Sequence, residues 1–376
     1  MSSFRFEILH QSKKSQARVG RIHTPHGVID TPNFVAVGTN GTLKGLDNQM
    51  VDSIGLQLMF CNTYHLLLQP GVEVVRQAGG LHRFIGRQLP IITDSGGFQV
   101  FSLAYGSVAD ELKSRGTKKR DGHVLKIQEE GVLFRSYRDG QLILLTPETS
   151  IQAQKALGAD IIIPFDELPP YHIDKEKLKS SLDRTHRWEK RSLDEHLQNP
   201  MEQAIYAVVH GGVDPELRRE SCRFLSALPF DGYAIGGSLG KTKPEMVGML
   251  RELMGQLPPE KPNHLLGIGD LESLEHCIPL GIDTFDSSYP TRAARHALLL
   301  TQQGNVKVEK RECQQQFSPI DPDCSCWTCR HFSVAYLHHL FKAQELTAYT
   351  LATIHNLHFM VERMRRYREA ILADVI

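Results

Sequence analysis

The chain has 376 residues, 41% of them hydrophobic and 23% charged, which excludes the disordered and fibrous classes and leaves room for a deep core. Lys plus Arg and Asp plus Glu both number 43, so bulk positive charge does not drive binding to nucleic acid, although local patches remain open to it. No apolar run approaches the roughly 18 residues of a membrane span, and the opening MSSFRFEILHQSKK lacks the apolar core of a secretion signal. The expected location is the cytosol.

Short apolar runs rich in β-branched residues recur along the chain, each ending in small or polar residues. They are 34–39 (FVAVGT), 56–62 (LQLMFCN), 89–94 (LPIITD), 159–166 (ADIIIPFD), 204–210 (AIYAVVH), 232–237 (GYAIGG), 264–270 (HLLGIGD) and 282–286 (IDTFD). Cores of about four apolar residues without alternation predict strands buried on both faces, as in a parallel sheet. Helical patterns lie between them, among them QMVDSIG, TSIQAQKALG, PELRRESCRFLSAL, KPEMVGMLRELMGQL and LESLEHCIPLG. Eight strand–helix repeats predict an α/β chain folded as a (β/α)8 TIM barrel. An open doubly wound sheet is the rival, weakened because no G-x-G-x-x-G turn follows the first strand. The interval from Asp94 to Ala159 is too long for one helix. There VLFRSY and QLILLT flank Arg138-Asp139-Gly140, which predicts an inserted β-hairpin. Beyond Leu300 the pattern changes to a short strand, a turn-rich stretch and a helical tail from Val334 to Leu372. The expected organisation is a barrel over 1–300 and a smaller unit over 301–376 whose helices pack back on the barrel.

Three of the seven cysteines, Cys324, Cys326 and Cys329, fall at C-x-C-x2-C spacing. Thiolates this close in a chain without a secretion signal need a cation, and Zn²⁺ is the common one. His331, His338, His339, His355 and His358 follow, and a ligand on a helix is favoured, which leaves His338, His339, His355 and His358 open as the fourth. A full Cys3His shell would make the zinc structural.

Asp94, Asp166 and Asp286 end predicted strands, and Asp270 lies just past another. Each alone reads as an N-cap of the next helix. Together, at the C-terminal ends of barrel strands, they read as an active site. Asp94 leads into Ser95-Gly96-Gly97-Phe98, with glycines for close approach and an aromatic for stacking, and Gly236-Gly237 offers a second close approach. Two carboxylates beside such a floor suit glycosidic chemistry on a planar base attached to a sugar.

These motifs resemble bacterial-type tRNA-guanine transglycosylases from about residue 4 to the C-terminus. The carriers are TPNFVAVGTNGTLKGL, CNTYHLLLQPG, TDSGGFQVFSL, PFDE, HGGVDPELR, GYAIGG, LLGIGD, FDSSYPTRAAR, CSCWTC and IHNL. The resemblance implies exchange of guanine at the tRNA wobble position for a 7-deazaguanine base, in queuosine modification. It implies Asp286 as the nucleophile that holds the ribose covalently, and Asp94 as general acid and base. Asp166, Ser95, Phe98 and Gly237 match positions around the bound base, and Asn62 matches a residue that orients the general acid. His210 and Gly236 belong to the same wall. Gly267, Ile268, Gly269, Asp270, Leu271, Glu272 and Ser273 match a strip beside RNA, and Thr291, Arg292, Ala293, Ala294 and Arg295 an RNA-contacting helix. The resemblance selects His355 as the fourth zinc ligand and suggests a homodimer.

Two departures stand out. The family usually has Gln where this chain has His210, and Leu-Ser/Ala-Val-Gly-Glu where it has Ser238-Leu239-Gly240-Lys241, one residue shorter and without the Glu. That change is expected to weaken selection for an aminomethyl group and to admit queuine, the bulkier base, at least as well as 7-aminomethyl-7-deazaguanine. Lys113, Arg115, Lys118, Lys119, Arg120 and Lys126 face only Asp121, in a stretch that reads as an RNA-facing or a merely solvated loop. The rival functions are a retaining glycoside hydrolase, which two tryptophans supply poorly with sugar platforms, and a non-catalytic tRNA-binding paralogue, which need not keep Asp94 and Asp286.

Overall fold

The computed structural model describes residues 4–105 and 124–376. Eight parallel strands close into a barrel in the order β4 (Asn33–Val37), β5 (Met59–Cys61), β6 (Ile91–Thr93), β10 (Ile161–Ile162), β11 (Ala204–Val209), β12 (Gly232–Ile235), β13 (Asn263–Leu265) and β14 (Thr284–Ser287). β14 pairs back to β4, with Asp286 beside Val35. Each predicted strand contributes one stave, and closure removes the open-sheet rival.

Parity sorts the side chains. Ile92, Tyr206, Val208 and Ala234 fill the barrel interior with Val35 and Phe60. Their sequence neighbours Ile91, Ile205, Ala207, Val209, Tyr233 and Ile235 face the helical layer outside. Period-two alternation within short all-apolar runs therefore builds two cores at once. The helices start where the sequence punctuates them. Thr146, Asp214 and Thr242 cap Pro147–Leu157, Pro215–Ser226 and Lys243–Met254, and each of these helices has Pro in its first two positions.

An antiparallel sheet of β1 (Arg5–Gln11), β2 (Arg18–Thr24) and β3 (Gly27–Thr31) precedes the barrel, and its Ile22 and Ile29 join the interior core. The sequence reading did not anticipate it. Arg18 ties this sheet to the barrel through Asp283, with Nε and Nη2 donating to the carboxylate at 2.9 and 2.6 Å.

The inserted hairpin is present as β8 (Val132–Arg135) with β9 (Leu142–Leu145), and β7 (Val124–Ile127) adds a third strand. Its turn is a wider loop than Asp139-Gly140 alone, closed by Ser136 N donating to Gln141 O at 2.9 Å. Lys126 lies in β7; Lys113, Arg115, Lys118, Lys119, Arg120 and Asp121 lie outside the described residues.

After the helix Tyr289–Arg295, strands β15 (Leu298–Leu299) and β16 (Val306–Lys307) pair antiparallel. The helical tail divides into Val334–Lys342 and Leu346–Leu372, broken where Gln344 takes a positive φ. The long final helix packs against Tyr289–Arg295, Asn48–Ile54 and β4, and so covers the seam where β14 meets β4.

Candidate active site and metal centre

The C-terminal rim of the barrel collects the predicted carboxylates. Asp94 follows β6 and is buried. Its Oδ2 accepts from Asn62 Nδ2 at 2.7 Å and Gln99 Nε2 at 2.9 Å, and its Oδ1 from the Thr63 amide at 2.7 Å. Burial outweighs these donors and pushes the carboxyl up to about 6. A group at that value can both give and take a proton near neutral pH.

Asp166, beyond β10, is held at both oxygens. Ser95 Oγ lies 3.2 Å from Oδ1 and His210 Nε2 lies 2.7 Å from Oδ2. An ionised carboxylate only accepts, so both partners donate. Phe98 stands half exposed on the helix that follows Asp94, open to stack on a planar ligand. Gly236 and Gly237 close the wall beyond β12. A Cβ on Gly236 would meet Val208 Cγ1 at 2.7 Å, and one on Gly237, with φ at +76°, would meet His210 Nδ1 at 2.8 Å. Only glycine lets this backbone pass so close.

Asp286, on β14, is buried and accepts at Oδ1 from His264 Nε2 at 3.0 Å and from the Gly267 amide at 2.7 Å. Asp270 is the N-cap of Leu271–Cys277, accepting from Ser273 N at 3.2 Å, and it pairs with Lys243. The N-cap reading is therefore right for Asp270, whereas Asp94 takes bonds from Asn62 and Thr63 after β5, and Asp286 from His264 and Gly267 on and after β13. Gly267 and Glu272 are exposed and Ser273 is buried. Arg292 is exposed and Arg295 half-buried, while Thr291, Ala293 and Ala294 are buried. Burial first, and the neighbouring Arg292 charge second, lower the pKa of Arg295. Two guanidiniums share one short helix with no carboxylate partner among the described residues.

A cavity of about 300 Å³ adjoins this wall. His210, Gly237 and Ser238 line its inner side, and Pro169, Pro170 and Tyr171 an outer side, without Asp94 or Asp286. Glu245 holds the Ser238–Lys241 loop from outside, accepting from Lys241 N at 2.6 Å and Tyr171 Oη at 3.1 Å, and Lys241 Nζ lies 4.8 Å from the Tyr171 ring centre.

Several supports were not singled out from sequence. Arg218 is buried and donates to the carbonyls of Val209, Gly212 and Ser238, clamping the loops after β11 and β12. Burial lowers its pKa to about 10, which leaves it cationic. Its position among Leu217, Ser221, Cys222 and Leu225 on the buried helix face was a readable signal. Glu189 is fully buried beneath; burial first and the Asp166 charge second hold its carboxyl well above the ordinary range.

In the C-terminal unit, Cys324, Cys326, Cys329 and His355 converge. The sulfurs lie 3.8, 3.6 and 3.3 Å from His355 Nδ1. A tetrahedral zinc with bonds of about 2.3 Å to sulfur and 2.05 Å to nitrogen sets that edge at ~3.6 Å. His355 Nε2 donates to Leu300 O at 2.8 Å, so Nδ1 keeps its lone pair for a metal. The residues fit Zn²⁺ with no position left open, so the metal is structural. His338 instead contacts the Val308 carbonyl, at 2.8 Å, and His358 contacts Ser325, at 3.2 Å.

The model of one protein family, described as queuine tRNA-ribosyltransferase, matches residues 12–376. The chain is 71% identical to the queuine tRNA-ribosyltransferase of Protochlamydia amoebophila, covering 100% of this chain and 97% of that protein. It is 56% identical to that of Chlamydia caviae over 375 residues, covering 100% of both chains, and 57% identical to that of Chlamydia muridarum over 373. Among the described residues no helix is long and apolar enough to cross a membrane.

Replacing His355 with Ala is expected to drop bound zinc well below one per chain and to lower the melting temperature. Elemental analysis after desalting, with calorimetry, checks this; full zinc retention contradicts the ligand set.

Proposed function

The chain belongs to the queuine tRNA-ribosyltransferase family, and on that premise we propose that it exchanges guanine at the tRNA wobble position for a 7-deazaguanine base through a covalent Asp286–ribose intermediate. The observation that carries this reading is the pair of rim carboxylates in unlike environments. Asp94 is buried with a raised pKa, and Asp286 has one oxygen anchored by two donors. Asp286 attacks the ribose anomeric carbon while Asp94 protonates the departing guanine. The incoming base then gives a proton to Asp94 and displaces Asp286. Two displacements retain configuration, as in retaining glycosidases. Asp166, braced by Ser95 and His210, offers a carboxylate to the N–H edge of the base, and Phe98 a stacking face. Arg292 and Arg295, without a carboxylate partner among the described residues, would take the phosphates in this reading.

Covalent trapping on tRNA tests the assignments. Asp286→Asn is expected to form no adduct, and a persisting adduct rules the nucleophile out. Adduct formation needs protonated Asp94, so its rate is expected to fall as pH rises through about 6. Asp94→Asn should flatten that profile and slow the step by about 10²–10⁴-fold.

The cavity beside His210 and Gly237 supports queuine as an incoming base. Room for a bulky 7-substituent opens there; Ser238, the member of the Ser238–Lys241 segment that lines it, is uncharged, and the acidic residue in the lining is Asp214. Competing exchange of queuine and 7-aminomethyl-7-deazaguanine is expected to show queuine used at least as well; clear preference for the aminomethyl base sinks this specificity.

We also read the active form as a homodimer. Phe317, Trp327 and Tyr336 are 80, 57 and 42% exposed on the zinc unit, a concentration of aromatics that suits an interface. Sedimentation should show a dimer that Trp327→Ala weakens, and a monomer at working concentration contradicts it.

A further inference from the structure

The two oxygens of Asp286 are not equivalent. Oδ1 receives His264 Nε2 at 3.0 Å and the Gly267 amide at 2.7 Å, whereas Oδ2 has no hydrogen-bond partner among the described residues. His264 is fully buried on the inward parity of β13, where its register partner on β14 is Thr284. Its Nδ1 lies 2.8 Å from Thr284 Oγ1, and that hydroxyl also lies 3.1 Å from Asn263 O. If Thr284 donates to Nδ1, the ring is neutral with its proton on Nε2. If Thr284 donates to Asn263 O, the ring carries protons on both nitrogens. Either state aims an Nε2–H at Oδ1, because a carboxylate only accepts. The Phe60 ring, 6.0 Å away between centres, stacks beside the imidazole.

We propose that His264 is a positioning residue which, with the Gly267 amide, pins Oδ1 and so commits Oδ2 to bond formation. The inference rests on Asp286 being the nucleophile. In the first displacement an Oδ2 lone pair forms the bond to the anomeric carbon. The carbon–nitrogen bond to guanine breaks, its electron pair stays with the base, and Asp94 supplies the proton. Oδ1 becomes the carbonyl oxygen of the resulting ester, still facing its two donors. In the second displacement the incoming base nitrogen forms its bond to the same carbon and loses its proton to Asp94. The electron pair of the carbon–Oδ2 bond returns to Asp286, and negative charge re-forms on the carboxylate. Donors fixed at Oδ1 strengthen as that charge grows, so they favour adduct breakdown in the manner of an oxyanion hole. During adduct formation the same charge is consumed, so the donors orient the attack without helping it electrostatically.

This asymmetry gives a signature that lost packing does not. Removing one preorganised donor costs about 10²–10³-fold in the step that develops charge. His264→Phe keeps the ring and removes the donor, and is expected to slow adduct breakdown by about 10²-fold, with a much smaller effect on adduct formation. The covalent species then accumulates in steady state, with kcat reduced and KM for tRNA unchanged or lowered. His264→Gln, which offers a side-chain N–H, is expected to recover most of the breakdown rate. Single-turnover trapping and chase on tRNA measure both steps, with zinc content and melting temperature as controls on folding. Equal loss in both steps, or a Gln variant as slow as Phe at equal stability, overturns the proposal. Asp286→Asn separates the two levels: an adduct persisting there overturns the nucleophile and this role with it. No adduct there, with unchanged rates in His264→Phe, overturns the role of His264 alone.

Discussion

Three thiolates within six residues must share a cation, and the ligand that completes their shell sits on the last helix of the chain. That one requirement arranges much of the molecule. His355 fixes Leu346–Leu372 to the cysteine loop, and its Nε2 holds Leu300 at the end of β15. The next residue, Asn356, accepts from Leu300 N at 2.9 Å and donates to the carbonyls of Pro290 and Leu298 at 3.0 and 2.9 Å. The same helix therefore grips both ends of the short segment that carries Arg292 and Arg295 and begins just past Asp286. Ala294 shares one core with Cys326 and Cys329. The zinc shell has no open position for chemistry, yet it braces the helix that follows Asp286.

The barrel meets this staple with a different constraint. Charged groups at its rim must be desolvated enough to react and bonded enough to remain placed. Each carboxylate answers differently. Asp94 has three donors and still a raised pKa, because burial costs an ionised carboxyl more than those bonds return. Asp166 is braced on both oxygens, which leaves it geometry rather than freedom to react. Asp286 keeps one oxygen bonded and one unbonded. In the proposed mechanism the three aspartates take the roles of proton carrier, recognition element and nucleophile, and their neighbours distinguish them.

The parts legible in the sequence were those set by local rules. Short apolar runs marked most of the eight staves, since burial on two faces leaves no alternation to misread, whereas β14 lay in IDTFD, where only Ile282 and Phe285 are apolar. Asp-Gly marked the hairpin, and the cysteine spacing marked the metal. The N-terminal sheet escaped because its strands mix polar with apolar residues and β1 is mostly exposed, so periodicity was weak. The 24-residue helix Lys175–Gln198 escaped for a related reason: its charged residues dominate, and only Leu182, Trp188, Leu193 and a few polar side chains are buried. His264 escaped because one histidine in an apolar strand reads as core; only its register against Thr284 and the proximity of Asp286 give it meaning. Glu245 and Arg218 act across loops, and such contacts depend on how helices pack rather than on spacing. The choice of His355 among the histidines came from resemblance, and the hydrogen bond to Leu300 supplies the physical reason for it.

The equal count of acidic and basic residues bears on how such a chain meets a polyanion. Many described cations are spent on carboxylates within the fold, among them Arg18 on Asp283, Arg184 on Glu167, Arg191 on Glu148 and Lys243 on Asp270. Surface attraction for RNA is then weak where these pairs lie, since each pair presents little net field beyond a Debye length of about 8 Å. The rim carboxylates, by contrast, are satisfied by Asn62, Ser95, His210 and backbone amides, with no Lys or Arg among their bonded partners. Cations beside them need not neutralise them, and Arg292 and Arg295 are left unpaired on the adjoining helix. A backbone phosphate seated there would place its own ribose near Asp286 and compensate the two guanidiniums in one act. Zero net charge is then compatible with binding of a nucleic acid, because Arg292 and Arg295 stand without a carboxylate partner among the described residues on the helix that follows Asp286.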